Sequence, residues 1–250
     1  QILQSLPQAI QTMLDPAECG PACLSLCQDV QGETFDYPEE FFKERIHNIR
    51  RPRPDDFQIK QAVEKIKNSK KPIIISGGGV FYSDAMDELG NFAIKHNIPV
   101  TQTVMGYSTM KKDHSHFVGP IGGLGGKAAN NLAKETDLAI CIGTKLADFT
   151  TGSWANFENP EFKLVSINIA RHDANKHLAE AVIGDAKVTL TELSNAIGDW
   201  KSSDSWHKKS QVELKSWNEY VDKESGPTNQ ELPSYACLLY TSDAADESDR

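Results

Sequence analysis

The stretch from Asp137 to Trp154 reads D-L-A-I-C-I-G-T-K-L-A-D-F-T-T-G-S-W. Leu138 to Ile142 is a short apolar run, Gly143-Thr144 breaks it, and a polar loop holding Asp148, Thr150, Thr151 and Gly152 follows. A strand buried on both faces of a parallel sheet has this character, because helices cover both sides and no position meets water. Pro72 to Ser76, followed by Gly77-Gly78-Gly79, repeats the arrangement upstream. In open α/β sheets ligands bind at the loops leaving the strands' carboxyl ends, so two strand-to-glycine exits predict a groove built from backbone.

Around these two runs the pattern is strand–helix alternation. A helix is expected over Ile59 to Ile66, with Ile59, Ala62, Val63 and Ile66 on one face. Ser83 or Asp84 is placed to cap a helix running to His96. Strands are expected over Ile98 to Thr103, Lys163 to Ile169 and Ala181 to Ile183, and helices over Gly126 to Glu135 and Ala186 to Ile197. Asp173 reads as the cap of a short turn through His177. Alternation of this kind implies an α/β, doubly wound, mostly parallel sheet with helices on both faces and right-handed crossovers.

Before this region, residues 1 to 14 carry an apolar stripe at helical spacing, and Asp15-Pro16 ends it. Gly20-Pro21 opens a strand-like run, Ala22 to Leu26. Residues 32 to 56, rich in Pro, acids and arginines, read as a linker, and Arg50-Arg51-Pro52-Arg53 as a solvated part of it. After the alternating region, Trp206 to Val221 is polar with spaced aromatics and reads as a surface helix leaving the domain. Cys237 to Glu247 reads C-L-L-Y-T-S-D-A-A-D-E, which resembles a transposase sequencing adapter translated in frame, and residues 237 to 250 are set aside. With Gln1 in place of an initiator Met, the expectation is an internal fragment of a longer protein.

The net charge is −9. The last fourteen residues carry Asp243, Asp246, Glu247 and Asp249 against Arg250, a net −3 that leaves −6 for the rest. A mildly acidic chain without a long Lys/Arg run argues against nucleic-acid and anionic-membrane partners. No apolar stretch approaches transmembrane length and the first residues lack a signal peptide's order, so a cytoplasmic location is expected. Cys19, Cys23, Cys27 and Cys141 read as small buried thiols in a reduced compartment rather than as metal ligands.

Several residues carry candidate chemistry. Gly77, Gly78 and Gly79 lie between a strand and a helix, where backbone N–H groups cradle an anion, or where a tight turn needs positive φ. G-x-G-x-x-G is absent. Gly119, Gly122, Gly123, Gly125 and Gly126 describe either a close backbone approach to a ligand or a floppy loop. Asp148 accepts a hydrogen bond from a ribose or amide, or caps the Thr150 and Thr151 amides. Gly184-Asp185 ends a strand, and Asp185 either stabilises a helix dipole or faces the groove. His114 and His116, beside Asp113, read as a solvated face more readily than as a metal site.

An ordered set of motifs goes further. It comprises Asp15-Pro16-Ala17-Glu18-Cys19-Gly20-Pro21-Ala22, Gln28-Asp29-Val30-Gln31, Gly77-Gly78-Gly79-Val80 and Asp148-Phe149-Thr150-Thr151-Gly152-Ser153-Trp154. Asp173-Ala174-x-Lys176-His177 and Leu232-Pro233-Ser234-Tyr235-Ala236 complete it. The set resembles the thiamine-diphosphate-dependent trihydroxycyclohexanedione hydrolases of myo-inositol catabolism, over residues 1 to 236. Such enzymes have pyrimidine-binding, Rossmann-like middle and pyrophosphate-binding domains. The resemblance makes residues 1 to 31 the end of the first, 57 to 200 the middle domain, and 201 to 236 the approach to the third. It also puts the catalytic glutamate before Gln1 and the G-D-G…N motif for Mg²⁺ and diphosphate after Ala236. The parent enzyme is then expected to open a cyclic diketone to a deoxy-glucuronate with thiamine diphosphate and Mg²⁺, as a homo-oligomer, while this chain alone holds neither and has no catalytic residue.

Some relatives bind FAD or an adenosine diphosphate in the middle-domain groove. Their contacts fall near Gly77 to Gly79, Gly122 to Gly126, Gly143 to Asp148 and Gly184-Asp185, and Gly77, Gly78, Gly79, Gly143, Thr144, Asp148, Gly184 and Asp185 are the expected cofactor-binding positions here. The loop D-F-T-T-G-S lacks the arginine of flavin relatives, and Gly126 stands where Thr or Ser is common, so FAD is not expected. An acetohydroxyacid synthase or decarboxylase of the same superfamily, and a non-catalytic nucleotide-binding or structural domain, are the alternatives.

Overall fold

The computed structural model describes residues 1–225. The readings of Leu232 to Ala236 and of residues 237–250 lie outside them. In chain order the strands are β1 (Pro72–Ser76), β2 (Val100–Gln102), β3 (Phe117–Pro120), β4 (Leu138–Ile142), β5 (Lys163–Asn168) and β6 (Glu180–Ile183). The helices are α1 (Ile2–Leu14), α2 (Asp56–Asn68), α3 (Gly78–Tyr82), α4 (Met86–His96), α5 (Lys127–Glu135), α6 (Asp148–Thr151), α7 (Arg171–Ala174), α8 (Ala186–Ile197) and α9 (Asp204–Glu224).

The described strands form one all-parallel sheet in the order β3-β2-β1-β4-β5-β6. β1 and β4 lie at its centre, register Ile74 against Ile140, and every residue of both is buried. That explains their unbroken apolar runs. Successive side chains point to opposite faces. Ile74, Ile140, Ile142, Val165 and Val182 meet α2, α4 and α8 on one face. Ile73, Ile75, Ala139, Cys141 and Leu164 meet α5 and Trp206 of α9 on the other. The reversal of strand order lies between β1 and β4, and it opens a crevice at their carboxyl ends.

Local chemistry sets the helix boundaries. Asp55 caps α2 by accepting from the Phe57 amide. Asp185 caps α8, accepting from the Lys187 and Val188 amides at 3.0 and 3.3 Å. Asn97 ends α4 in the left-handed region, which holds β2 back to Val100.

The structure departs from the sequence reading at several points. Neither Ser83 nor Asp84 caps the start of α4, whose N-cap position is Ala85: α3 starts at Gly78 and closes at Ser83, and Asp84 takes φ 53 with its carboxylate 2.8 Å from Lys187 Nζ. That ammonium also holds the Asp84 carboxyl below its ordinary range. Asp173 lies inside α7 and pairs with Lys176 at 2.5 Å instead of capping a turn. Ala22 to Leu26 is not a strand, since it pairs with no edge among the described residues, and its side chains are exposed. Cys19, Cys23 and Cys27 are therefore exposed rather than buried, while Cys141 in β4 is buried. His116 is only 6% exposed and stacks on His207, so the His114–His116 pair is not a solvated face. Helix α9 does not simply leave the domain. It buries Trp206, whose indole N–H donates to the Pro72 carbonyl at 2.8 Å, and packs along α5 and β3.

A candidate ligand cleft at the switch point of the sheet

The strand exits surround a cleft of about 490 Å³. Gly78 and Gly79 line it after β1, Thr103 to Met105 after β2, Gly143 to Lys145 after β4, Asn168 to Ala170 after β5, and Gly184 with Ala186 around the β6 exit. Pro16, Ala17 and Cys19 from the amino-terminal segment line its mouth. Exposed apolar side chains surround the opening, including Met105 at 75% and Phe149 at 70% exposure.

Gly77 and Gly79 are required by close approach and not by an unusual φ. A Cβ at Gly77 would stand 2.3 Å from the Gly143 carbonyl oxygen, and one at Gly79 would stand 2.6 Å from Gly143 Cα. Gly143 itself takes φ 60. The Gly77 amide donates to Ile142 O at 2.8 Å, the Gly79 amide to Gly143 O at 2.9 Å, and the Val80 amide to Gly77 O at 3.1 Å. The first two donors join the β1 exit to that of β4 and the third closes the opening turn of α3, so these three do not form an open anion cradle.

Neighbouring turns are tied in the same way. Asn168 Nδ2 donates to Thr144 O at 3.2 Å, its Oδ1 accepts from the Ala170 amide at 3.0 Å, and the Thr144 hydroxyl accepts from the Leu146 amide at 3.2 Å. The glycine-rich loop after β3 is stapled rather than floppy. Asn130 bonds both the amide and the carbonyl of Gly122, and a Cβ there would stand 2.0 Å from Phe149 O. None of Gly119 to Gly126 lines the cleft.

Of the expected positions, Gly78, Gly79, Gly143, Thr144 and Gly184 converge on the cleft, with Gly77 directly behind them. Asp148 opens α6, is exposed, and lies outside the lining; the Thr150 and Thr151 amides go to Ala147 O instead of its side chain. Asp185 is 3% exposed and turned to α8, where it also pairs with Arg51 at 3.0 Å. Arg51 also donates to Ser83 O, and the Pro52 carbonyl accepts from the Asp185 amide at 2.9 Å. This part of the arginine cluster is a clasp on the domain and not solvated chain. Sequence reasoning missed both Arg51 and Asn168. Asn at a strand end, two residues before an amide it can cap, was the available signal for the second.

Residues 59–193 match the family model described as thiamine pyrophosphate enzyme, central domain. The chain belongs to this family. The chain is 42% identical over 223 residues, 89% of its length, to a Clostridium perfringens protein named 3D-(3,5/4)-trihydroxycyclohexane-1,2-dione hydrolase, covering 35% of that protein. A Clostridium botulinum protein of the same name is 45% identical over 77% of this chain and 30% of its own length. A Bacillus subtilis protein of that name is 42% identical over 81% of this chain and 32% of its own length. The chain thus spans about a third of the length of the curated relatives it matches.

The central-domain cleft does not fit a magnesium-bound diphosphate. The amides of Gly77, Gly79, Gly143 and Gly184 are paired within the fold, and among the described residues no group of three His, Cys, Asp or Glu side chains is placed to hold a metal. What the cleft offers is a mostly apolar slot walled by backbone. No described helix is long and apolar enough to cross a membrane.

Proposed function

We propose that this chain is the middle portion of a thiamine-diphosphate- and Mg²⁺-dependent hydrolase that opens the ring of trihydroxycyclohexane-1,2-dione to a 5-deoxy-glucuronate in myo-inositol catabolism. The observation that carries this reading is the identity of 42–45% to relatives of that one name, extending over 77–89% of the chain. Residues 57–200 are the middle domain in this reading, with 1–31 from the preceding domain, 32–56 a linker and 201–236 the approach to the next. When bound, thiamine diphosphate supplies the electron sink that cleavage beside a carbonyl needs. This chain's own residues do scaffolding: the Gly77–Gly79 and Gly143 contacts lock the two central strands, and Arg51 with Asp185 clasps the domain's entry. The whole enzyme is proposed to act on a small cyclic diketone in the cytoplasm as a homo-oligomer.

Titration calorimetry of the full chain with thiamine diphosphate and Mg²⁺ tests the division of labour. No heat of binding is expected; stoichiometric, micromolar binding overturns it. The activity is tested by assaying the uninterrupted reading frame on the cyclic dione, where turnover of pyruvate instead would favour a synthase or decarboxylase.

A second reading rests on the cleft's place at the β1–β4 switch point, where doubly wound sheets hold nucleotides. Gly78, Gly79, Gly143, Thr144 and Gly184 would then contact the ligand. A thermal-shift gain of several degrees with ADP or NAD supports it by mass action. No gain supports a cleft that only spaces neighbouring domains, and the pairing of the Gly77, Gly79, Gly143 and Gly184 amides within the fold favours that outcome.

A further inference from the structure

Three imidazoles meet where α9 crosses the edge of the sheet. His116, just before β3, is buried, and its ring stacks on that of His207 from α9, with centroids 4.2 Å apart and planes at 20°. His114 lies with its ring 5.9 Å from that of His116. Its Nε2 is buried without a partner over α4, where a Cβ at Gly90 would stand 3.4 Å away. His207 Nδ1 is likewise buried and unpartnered.

The hydrogen bonds favour a neutral His116. Asn97 donates its Nδ2 hydrogens to Ser202 O and Asp204 Oδ1, which leaves its Oδ1 to accept from His116 Nε2 at 3.2 Å. His116 Nδ1 then accepts from the Ser115 hydroxyl at 2.9 Å. Stacked rings do not converge their nitrogens on one point, so a shared metal is not what assembles them.

We propose that the His116–His207 stack, with His114 beside it, is a proton-sensitive latch that holds α9 on the domain and releases it on acidification while the sheet stays folded. Two imidazolium rings stacked this closely, with little water between them, repel each other. Burial first, and then the charges of His207 and His114, push His116 down to about 4. Burial also lowers His114 and His207, opposed by Asp113 beside the one and Asp204 before the other. From α4 the cluster meets Gly90 and Asn97, and from α9 also Gln211, which donates to Ser115 O; Lys111, Lys112 and Lys208 are exposed.

The sign follows from linkage. Released imidazoles bind protons that docked ones refuse, so the latch is complete above the ordinary imidazole value of about 6.5 and erodes as pH falls from there toward about 4. Between about pH 7 and pH 5 His116 alone shifts the docked-to-released ratio on the order of tenfold. The Trp206 and Trp217 contacts of α9 do not titrate, so they hold the helix at neutral pH without sharing this dependence.

Hydrogen exchange read by mass spectrometry on the full chain at about pH 7, 6 and 5, corrected for intrinsic rates, tests the latch. Protection of α9 is expected to fall on the order of tenfold while β1 and β4 keep theirs. His207→Phe keeps a stacked ring without a proton site and is expected to flatten the profile. A flat wild-type profile, simultaneous loss in α9 and β1, or an unchanged profile in the variant overturns the proposal. Should His207→Phe not fold, NMR titration of the wild-type imidazoles decides: normal protonation of all three with α9 still protected overturns it.

Discussion

The Gly79 amide donates to the Gly143 carbonyl at 2.9 Å, and the two backbones meet so closely that neither residue has room for a Cβ. Gly143→Ala is expected to cost roughly 2–4 kcal/mol, combining left-handed strain at φ 60 with a backbone clash. Gly79→Ala, with a clash but no unusual φ, should cost roughly 1–3 kcal/mol. Urea unfolding midpoints measure both, and a midpoint unchanged in Gly143→Ala would show that the contact relaxes freely.

Asp185 joins two jobs, the cap of α8 and the ion pair with Arg51. Asp185→Ala is expected to lose about 1–2 kcal/mol, mostly from the cap, because Arg51 is one-third exposed and its pair is partly screened. Asn accepts from the same amides, so Asp185→Asn should lose clearly less. Equal losses in the two variants would put the weight on the ion pair instead.

Trp206 anchors α9 by packing and by one hydrogen bond to Pro72 O. Trp206→Phe should cost about 1 kcal/mol for the lost donor, whereas Trp206→Ala should cost roughly 3–5 kcal/mol and free the helix. Limited proteolysis within α9 checks the second outcome; resistance equal to the parent chain would contradict it.

Burial pushes the Cys141 thiol far up, and its strand is covered on both faces. Thiol labelling mapped to peptides should mark Cys19, Cys23 and Cys27 within the mixing time and leave Cys141 unmodified until the domain unfolds. Rapid native labelling of Cys141 would mean that β4 opens locally.

The central strands were legible because burial on both faces leaves a single apolar run. Pro72–Ser76 and Leu138–Ile142 are observed with the bounds their residues predict, as is α8 over Ala186–Ile197. Boundaries failed where a carboxylate found a lysine, distant in one case and three residues away in the other. Asp84 goes to Lys187 and Asp173 to Lys176, so neither was available to cap. At the cleft, the convergence of Gly78, Gly79, Gly143, Thr144 and Gly184 followed from strand exits alone. That Asp148 stands outside and Asp185 turns to α8 did not, because a carboxylate's direction depends on which amides and cations the fold brings to it.

By itself the chain of residues determined the alternation of elements, the parallel sheet and the family motifs, since these rest on local periodicity and on glycine at strand ends. Only the tertiary structure decided that those glycines serve contact between two backbones, that Arg51 closes on Asp185 across more than a hundred residues of chain, and that His116 is buried against His207. Each of these is a meeting of segments far apart in sequence, and its energy comes from a neighbour that no local pattern names.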